Sequence, residues 1–254
     1  MKSKWRMTGI LVLTLTFLCA NAGWTENKIP DHFVDVQTVI PSVTLDIRYH
    51  GDHNFLGTRV DGYLAPKCFI TAPAAEALAK VQAELQEFSL SLKIYDCYRP
   101  QQAVDHFVRW AKDIKDTKTK AEFYPTVDKR NLFRDGYIAE KSGHSRGSTI
   151  DLTIVPVPVP AEGKYIPGQS LEACYLPAAK RFKDNSIDMG TGFDCFHELS
   201  HPGNLKVGDP QRVKRLLLKT LMDKHGFKNY DKEWWHFTLR NEPYPDTYFD
   251  FPVK

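Results

Sequence analysis

The chain has 254 residues, 42% of them hydrophobic and 26% charged, with a formal net charge of +3. The charge is spread along the sequence without a block of Lys/Arg, which removes the electrostatic footprint a nucleic-acid-binding protein needs. The length suits one compact domain with a sizeable core.

The first residues set an expectation about compartment. Lys2, Lys4 and Arg6 precede an apolar run from Met7 to Leu18, followed by Ala20-Asn21-Ala22. The run is too short to anchor a helix across a bilayer, and the three parts together match a cleavable secretory signal over residues 1–22. The mature domain is then 23–254, exported to the periplasm or beyond, with no stable membrane anchor after cleavage. A lipid-modified Cys19 is disfavoured by the bulky Phe17 and Leu18 before it. Four cysteines remain, Cys68, Cys97, Cys174 and Cys195, an even number that predicts disulfides in an oxidising compartment. Of three connectivities, the sequence-local pairs Cys68–Cys97 and Cys174–Cys195 are the expectation. Each closes a loop of about 20 to 30 residues and contributes roughly 3 to 4 kcal/mol in the chain-entropy model.

Val34 to Tyr49 reads as extended, because Thr44 to Tyr49 alternates apolar and polar residues. Thr71-Ala72-Pro73 opens a helix with Thr71 as its cap, and Leu78, Val81 and Leu85 recur at helical spacing. Leu90 to Tyr98 reads as a strand, and Pro100 starts a second helix whose apolar face is Val104, Phe107, Val108 and Ala111. Lys118 to Asp135 is polar and aperiodic, a surface excursion. Ser148 to Val155 is strand-like and stops at the Pro156, Pro158, Pro160 run, which cannot lie inside a sheet. A third helix starts at Asp209-Pro210, with Val213, Leu217 and Leu221 inward and Gly226 at its end. Glu233 to Leu239 is a final aromatic-rich strand. Helices and strands mix without strict alternation, which predicts a single α+β domain with a mainly antiparallel sheet and flanking helices.

Two segments carry chemistry: Ser142-Gly-His144-Ser-Arg-Gly-Ser-Thr-Ile-Asp151, and Glu233-Trp-Trp-His236. Two imidazoles and one carboxylate suit a zinc ion that keeps its fourth position open, and the set leaves a net +1 on the ion. Cobalt or manganese would also fit such donors. Taken singly, a histidine on a strand is more often a core residue than a ligand. Glu233 and His236, three apart, would face opposite sides of a flat strand, so both serve one site only if the backbone bulges there.

The pattern S-x-H-x-x-G-x-x-x-D followed by E-x-W-H resembles the zinc D-alanyl-D-alanine dipeptidases, within the zinc D,D-peptidases that share a fold with the Hedgehog signalling domain. The resemblance extends to Asp46-Ile-Arg-Tyr49, Asn54-Phe55, Gly62-Tyr63, Tyr95-Asp-Cys-Tyr-Arg-Pro100 and Asp188-Met-Gly-Thr-Gly-Phe-Asp194, in the family's order over roughly residues 30 to 245. It implies one zinc ion on His144, Asp151 and His236. It implies Glu233 as the carboxylate that takes a proton from the attacking water and delivers it to the leaving amine, and Arg99 as the cation that meets the oxyanion. The substrate's free amino group needs an acceptor, for which Asp188 is the first candidate and Asp194 the second. Ser142 is a candidate hydrogen-bonding partner of the substrate or a residue that shapes the loop. The implied substrate is a small peptide ending in D-alanyl-D-alanine, in cell-wall peptide turnover or D-alanine scavenging. A D,D-carboxypeptidase or other stem-peptide hydrolase, and a zinc-stabilised binding module without catalysis, are the alternatives. The sequence says nothing of oligomeric state. His197-Glu-Leu-Ser-His201 also fits H-E-x-x-H, but that motif needs a helix. Gly190, Gly192 and Pro202-Gly203 around it predict a loop.

Overall fold

The computed structural model describes Met1 and residues 29–254, so the expected signal over residues 1–22 falls, Met1 apart, outside the described residues. Strand β1 (Phe33–Asp35) runs directly into a single turn of helix, α1 (Val36–Val39), with the Asp35 carboxylate accepting from Gln37 N. A short β2 (Thr44–Leu45) follows, and a 3-10 turn covers Arg48–His50. The stretch from Val34 to Tyr49 is therefore not continuously extended. Its alternation reflects side chains placed one at a time against the core, with Val36, Ile40, Val43 and Ile47 buried. Strand β3 (Phe69–Thr71) pairs antiparallel with β1 and leads into helix α2 (Ala72–Gln86). Ala74, Ala75, Leu78, Val81 and Leu85 form the buried face of α2. Thr71 occupies the cap position, yet its hydroxyl pairs with Ser148 Oγ at 2.6 Å instead of capping the helix.

Strand β4 (Leu90–Asp96), helix α3 (Gln101–Lys112) and strand β5 (Thr149–Pro156) agree with the sequence expectation. Lys118 to Asp135 does not. Helix α4 (Lys120–Phe123) and a 3-10 turn at Lys129–Asn131 pack inward, with Phe123, Tyr124 and Leu132 buried. Lys129 sets its ammonium 3.8 Å over the Trp110 ring and donates to the Asp116 carbonyl. The segment buries apolar residues without helical or strand periodicity, so the sequence pattern conceals it. Helix α5 (Asp209–Lys224) is present but turned. Leu218 and Met222 face inward, whereas Val213 and Leu217 are exposed. Near its start the inward position belongs to Arg215, which donates to the carbonyls of Met189, Leu199 and His201. A buried guanidinium satisfying loop carbonyls takes the place an apolar residue was expected to hold. Strands β6 (Phe227–Tyr230) and β7 (Glu233–Leu239) complete the chain's regular elements.

Five strands form the main sheet in the order β2-β4-β5-β7-β6; β2 and β4 are parallel and the other pairs antiparallel. The fold is the mixed, mainly antiparallel α+β domain expected. Both expected disulfides are formed, Cys68–Cys97 and Cys174–Cys195. Among the described residues no helix is long and apolar enough to cross a membrane.

Lys93 on β4 is fully buried among carboxylates, with Nζ at 2.9 Å from Asp46, 2.6 Å from Glu162 and 3.2 Å from Asp184. Arg48 shares Asp46 and Asp184, and Tyr95 Oη donates to Asp184. Burial alone would raise the Asp184 carboxyl, but the two cations hold it down at about 2. Removing one cation leaves partly buried acids short of a partner. Lys93→Met should therefore destabilise the fold by about 3 kcal/mol in chemical denaturation. A variant as stable as the parent would show the network to be replaceable by apolar packing.

Candidate metal centre and its cavity

The sheet register brings the centre together. Asp96 on β4 lies opposite Asp151 on β5, and Asp151 lies opposite His236 on β7. Directly paired residues present their side chains on the same face, so three polar groups stand in one row across three strands. The fourth, His144, comes from the 3-10 turn Gly143–Arg146, where Ser142 Oγ accepts from His144 N. Gly147 ends the turn at φ 84°, and a Cβ there would stand 2.3 Å from the Phe33 ring. Only glycine permits this reversal into β5.

His144 is buried, and its Nδ1–H donates to the Cys97 carbonyl at 2.7 Å. That bond fixes the tautomer and leaves Nε2 bare. Nε2 faces Asp151 Oδ2 and His236 Nδ1, each at 3.3 Å. Asp151 Oδ1 is buried without a hydrogen-bond partner, 3.1 Å from His236 Nδ1. One atom from each of the three residues lies within 4.8 Å of the others. Two imidazole nitrogens and a carboxylate converging in a buried space form a donor set of the type zinc takes, and a cation there would offset their desolvation. Burial pushes His144 below the usual imidazole range and so favours its neutral, ligating form. The carboxyl of Asp151 is held well below its usual range, because the two histidines outweigh the burial that would raise it.

Glu233 reaches the same centre through an irregularity in β7. Tyr230 pairs with Glu233, whereas Asn229 pairs with Phe237. The extra residues on β7 bulge, and Asn229 Nδ2 holds the bulge by donating to the carbonyls of both Glu233 and His236. Glu233 Oε2 thereby stands 3.4 Å from His236 Nδ1. The bulge resolves the conflict that a flat strand poses, and it lets Trp234 and Trp235 both be buried. Burial raises the Glu233 carboxyl to about 7, aided by Asp151 and opposed by His236.

Arg99, just beyond β4, is bound to Asp96 Oδ2 through Nε at 3.0 Å and Nη2 at 2.9 Å. Its Nη2 is 3.6 Å from Asp151 Oδ2, and Nη1 donates to Ser142 Oγ at 3.4 Å. The guanidinium lies over the rings of Tyr49 and Phe107. Arg99 is buried, and so is its ion-pair partner Asp96. A cavity of about 300 Å³ opens beside these groups, with Arg99, Ser142, Asp151, Asp194, Glu233 and His236 in its wall. Asp194 is buried and accepts from Tyr49 Oη at 2.8 Å. Burial lifts its carboxyl well above the usual range, and the charges of Asp151 and Glu233 add to the effect.

Asp188, the first candidate for the amine acceptor, is not in that wall. Its carboxylate accepts from Arg181 Nη2, Gly190 N and Gln211 Nε2 of α5, so it is engaged by the protein itself. The other aspartate of the segment, Asp194, is the one brought to the cavity. Three positioning groups escaped sequence reasoning: the Asp96 carboxylate, the Cys97 carbonyl and the Tyr49 hydroxyl. Asp96 and Arg99 are three apart, a spacing that could have flagged the pair.

His197-Glu-Leu-Ser-His201 is not helical beyond a 3-10 turn at Glu198–Ser200. His197 Nδ1 accepts from Leu199 N, and its ring stacks on Tyr175. Among the described residues the two groups with metal-ligand spacing are His144/Asp151/His236 and Asp46/Glu162/Asp184. The second already holds the Lys93 ammonium. His197→Ala should therefore leave zinc content and activity unchanged. Loss of zinc by elemental analysis would restore the motif as a ligand pair.

A family model described as D-ala-D-ala dipeptidase matches residues 30–157 and 179–254. The chain belongs to this family. It is 37% identical over 221 residues to a D-alanyl-D-alanine dipeptidase of Streptomyces coelicolor, covering 87% of this chain and 98% of the relative. It is 35% identical to one of Enterococcus faecalis, with the same coverages. Against one of Escherichia coli K12 it is 30% identical, over 81% of this chain and 83% of the relative. Peptidases of the D-ala-D-ala dipeptidase family are zinc-dependent hydrolases, and the convergent donors described above suit that chemistry.

Proposed function

We propose that the chain is a zinc-dependent D-alanyl-D-alanine dipeptidase that acts outside the cytoplasm. The observation that carries this reading is the single row of Asp96, Asp151 and His236 across the sheet, with His144, Glu233 and Arg99 closing on it. His144 Nε2, Asp151 and His236 Nδ1 would hold the ion. When bound there, zinc supplies Lewis-acid polarisation of the scissile carbonyl and of the attacking water.

The chain's own groups do the rest. The Glu233 carboxylate takes the proton from the attacking water and passes it to the leaving amine. Arg99, held by Asp96, presents a permanent positive charge to the oxygen that becomes negative. Asp194 accepts the substrate's free ammonium; its buried carboxylate has Tyr49 Oη as partner and no cation at salt-bridge distance among the described residues. Ser142 Oγ already accepts from Arg99 and His144 N. Its own hydrogen is left to donate to the substrate, so Ser142 both shapes the loop and meets the ligand. The cavity is at the small end for ligand sites, which supports a dipeptide over a longer stem peptide. Glu233 beside the donor set counts against a non-catalytic module.

Export rests on the leader-like start and the two disulfides. Scavenging of D-alanine from wall fragments, or remodelling of the wall, suits that location. The test is D-alanine release by the zinc-loaded protein from D-alanyl-D-alanine and from a D,D-terminated pentapeptide, each with and without chelator. Chelator-sensitive release from the dipeptide is the expected result. Release from the pentapeptide alone would reassign the substrate, and silence on both would remove the proposal.

A further inference from the structure

Asp194 has φ 54°, a left-handed backbone that, among the described non-glycine residues, only Ser89 shares. A non-glycine residue persists there only when its surroundings over-determine it. The neighbouring residue, Cys195, is buried and bonded to Cys174. Backbone contacts reinforce the link: Gly192 N donates to the Cys174 carbonyl at 2.8 Å, and Cys174 N donates to the Glu122 carbonyl at 3.0 Å. Phe196 N donates to the Phe123 carbonyl at 2.8 Å. The loop that carries Asp194 is thus stitched, by one covalent bond and two amides, to residue 174 and to helix α4, and residue 174 is itself tied to α4 by a third amide. Cys174 itself lies in residues 158–178, the stretch left out of the family match.

We propose that the Cys174–Cys195 disulfide is a positioning device of the substrate site, which fixes the left-handed backbone at Asp194 and so aims that carboxylate at the ammonium of the dipeptide. The inference rests on Asp194 being the ammonium acceptor. Phe193 and Phe196 are also held, by stacking on Tyr95 and Tyr137. Ring stacking tolerates rotation of the peptide between them, whereas a cross-link at residue 195 does not. The bond therefore acts on substrate affinity, and the metal donors, which sit on β5, β7 and the Gly143–Arg146 turn, are outside its reach.

The experiment measures kcat, KM and zinc content with D-alanyl-D-alanine for the full chain, Cys174→Ser/Cys195→Ser, Asp194→Asn and the combined variant. Loss of the disulfide should raise KM about tenfold or more, with kcat within about threefold and zinc unchanged. In the Asp194→Asn background the same change should add no further rise, since the two act through one group. Cys174→Ala, which leaves the cysteine beside Asp194 intact, gives the same readout if the double variant does not fold. An unchanged KM, effects that multiply in the combined variant, or a joint fall in zinc, kcat and stability would each overturn the proposal. Asp194→Asn with the parent's KM would instead remove the ammonium reading beneath it, a result distinguishable because the disulfide variants play no part in it.

Discussion

Glu233→Gln should keep its zinc and lose roughly two to four orders of magnitude in kcat on D-alanyl-D-alanine. The substitution preserves shape and removes the only feature the mechanism asks of this residue, an oxygen that can take and return a proton. Zinc should stay because the three converging donors belong to His144, Asp151 and His236, and Glu233 approaches one of them, His236 Nδ1, at 3.4 Å. The fold should hold as well. The bulge that delivers Glu233 is maintained by Asn229 through backbone carbonyls, which the glutamine retains. Steady-state kinetics beside elemental analysis separates the outcomes. Near-parent kcat would take Glu233 out of the proton path, and loss of zinc would make it a ligand.

Arg99→Lys should lower kcat about 10²- to 10³-fold, the usual effect of losing one oxyanion-stabilising donor. Charge is conserved, so the loss comes from geometry. The guanidinium grips Asp96 through Nε and Nη2, brings Nη2 to 3.6 Å from Asp151 and reaches Ser142 with Nη1. An ammonium cannot make those contacts together. Asp96 is fully buried, and Tyr63 Oη would remain as its main partner. A loss of about 1 to 3 kcal/mol in stability should accompany the kinetic effect. Unfolding curves and kcat measured on the same preparation test both parts. A variant destabilised but fully active would reduce Arg99 to a counter-ion of Asp96.

The sequence alone pointed to the three residues that converge at the centre, to the disulfide pairs and to most of the regular elements, and most of these rest on short-range signals. His144 and Asp151 share one turn-to-strand segment. The cysteine pairs are near neighbours in the chain, and α2, α3, β4 and β5 have plain periodicity. Family membership followed from the order of several such segments. The remainder depended on contacts that no local pattern encodes. Which of the two aspartates faces the cavity depends on the course of one loop: Asp194 lies in its wall, while Asp188 accepts from Arg181 and Gln211. The inward face of α5 turned on loop carbonyls that needed Arg215. Lys118 to Asp135 packs by shape, with Lys129 over Trp110, and so carries no periodic trace. Above all, the meeting of Glu233 with His236 required a bulge created by pairing with β6. Strand register and bulges are properties of two chains of backbone at once, and a sequence read along one strand does not contain them.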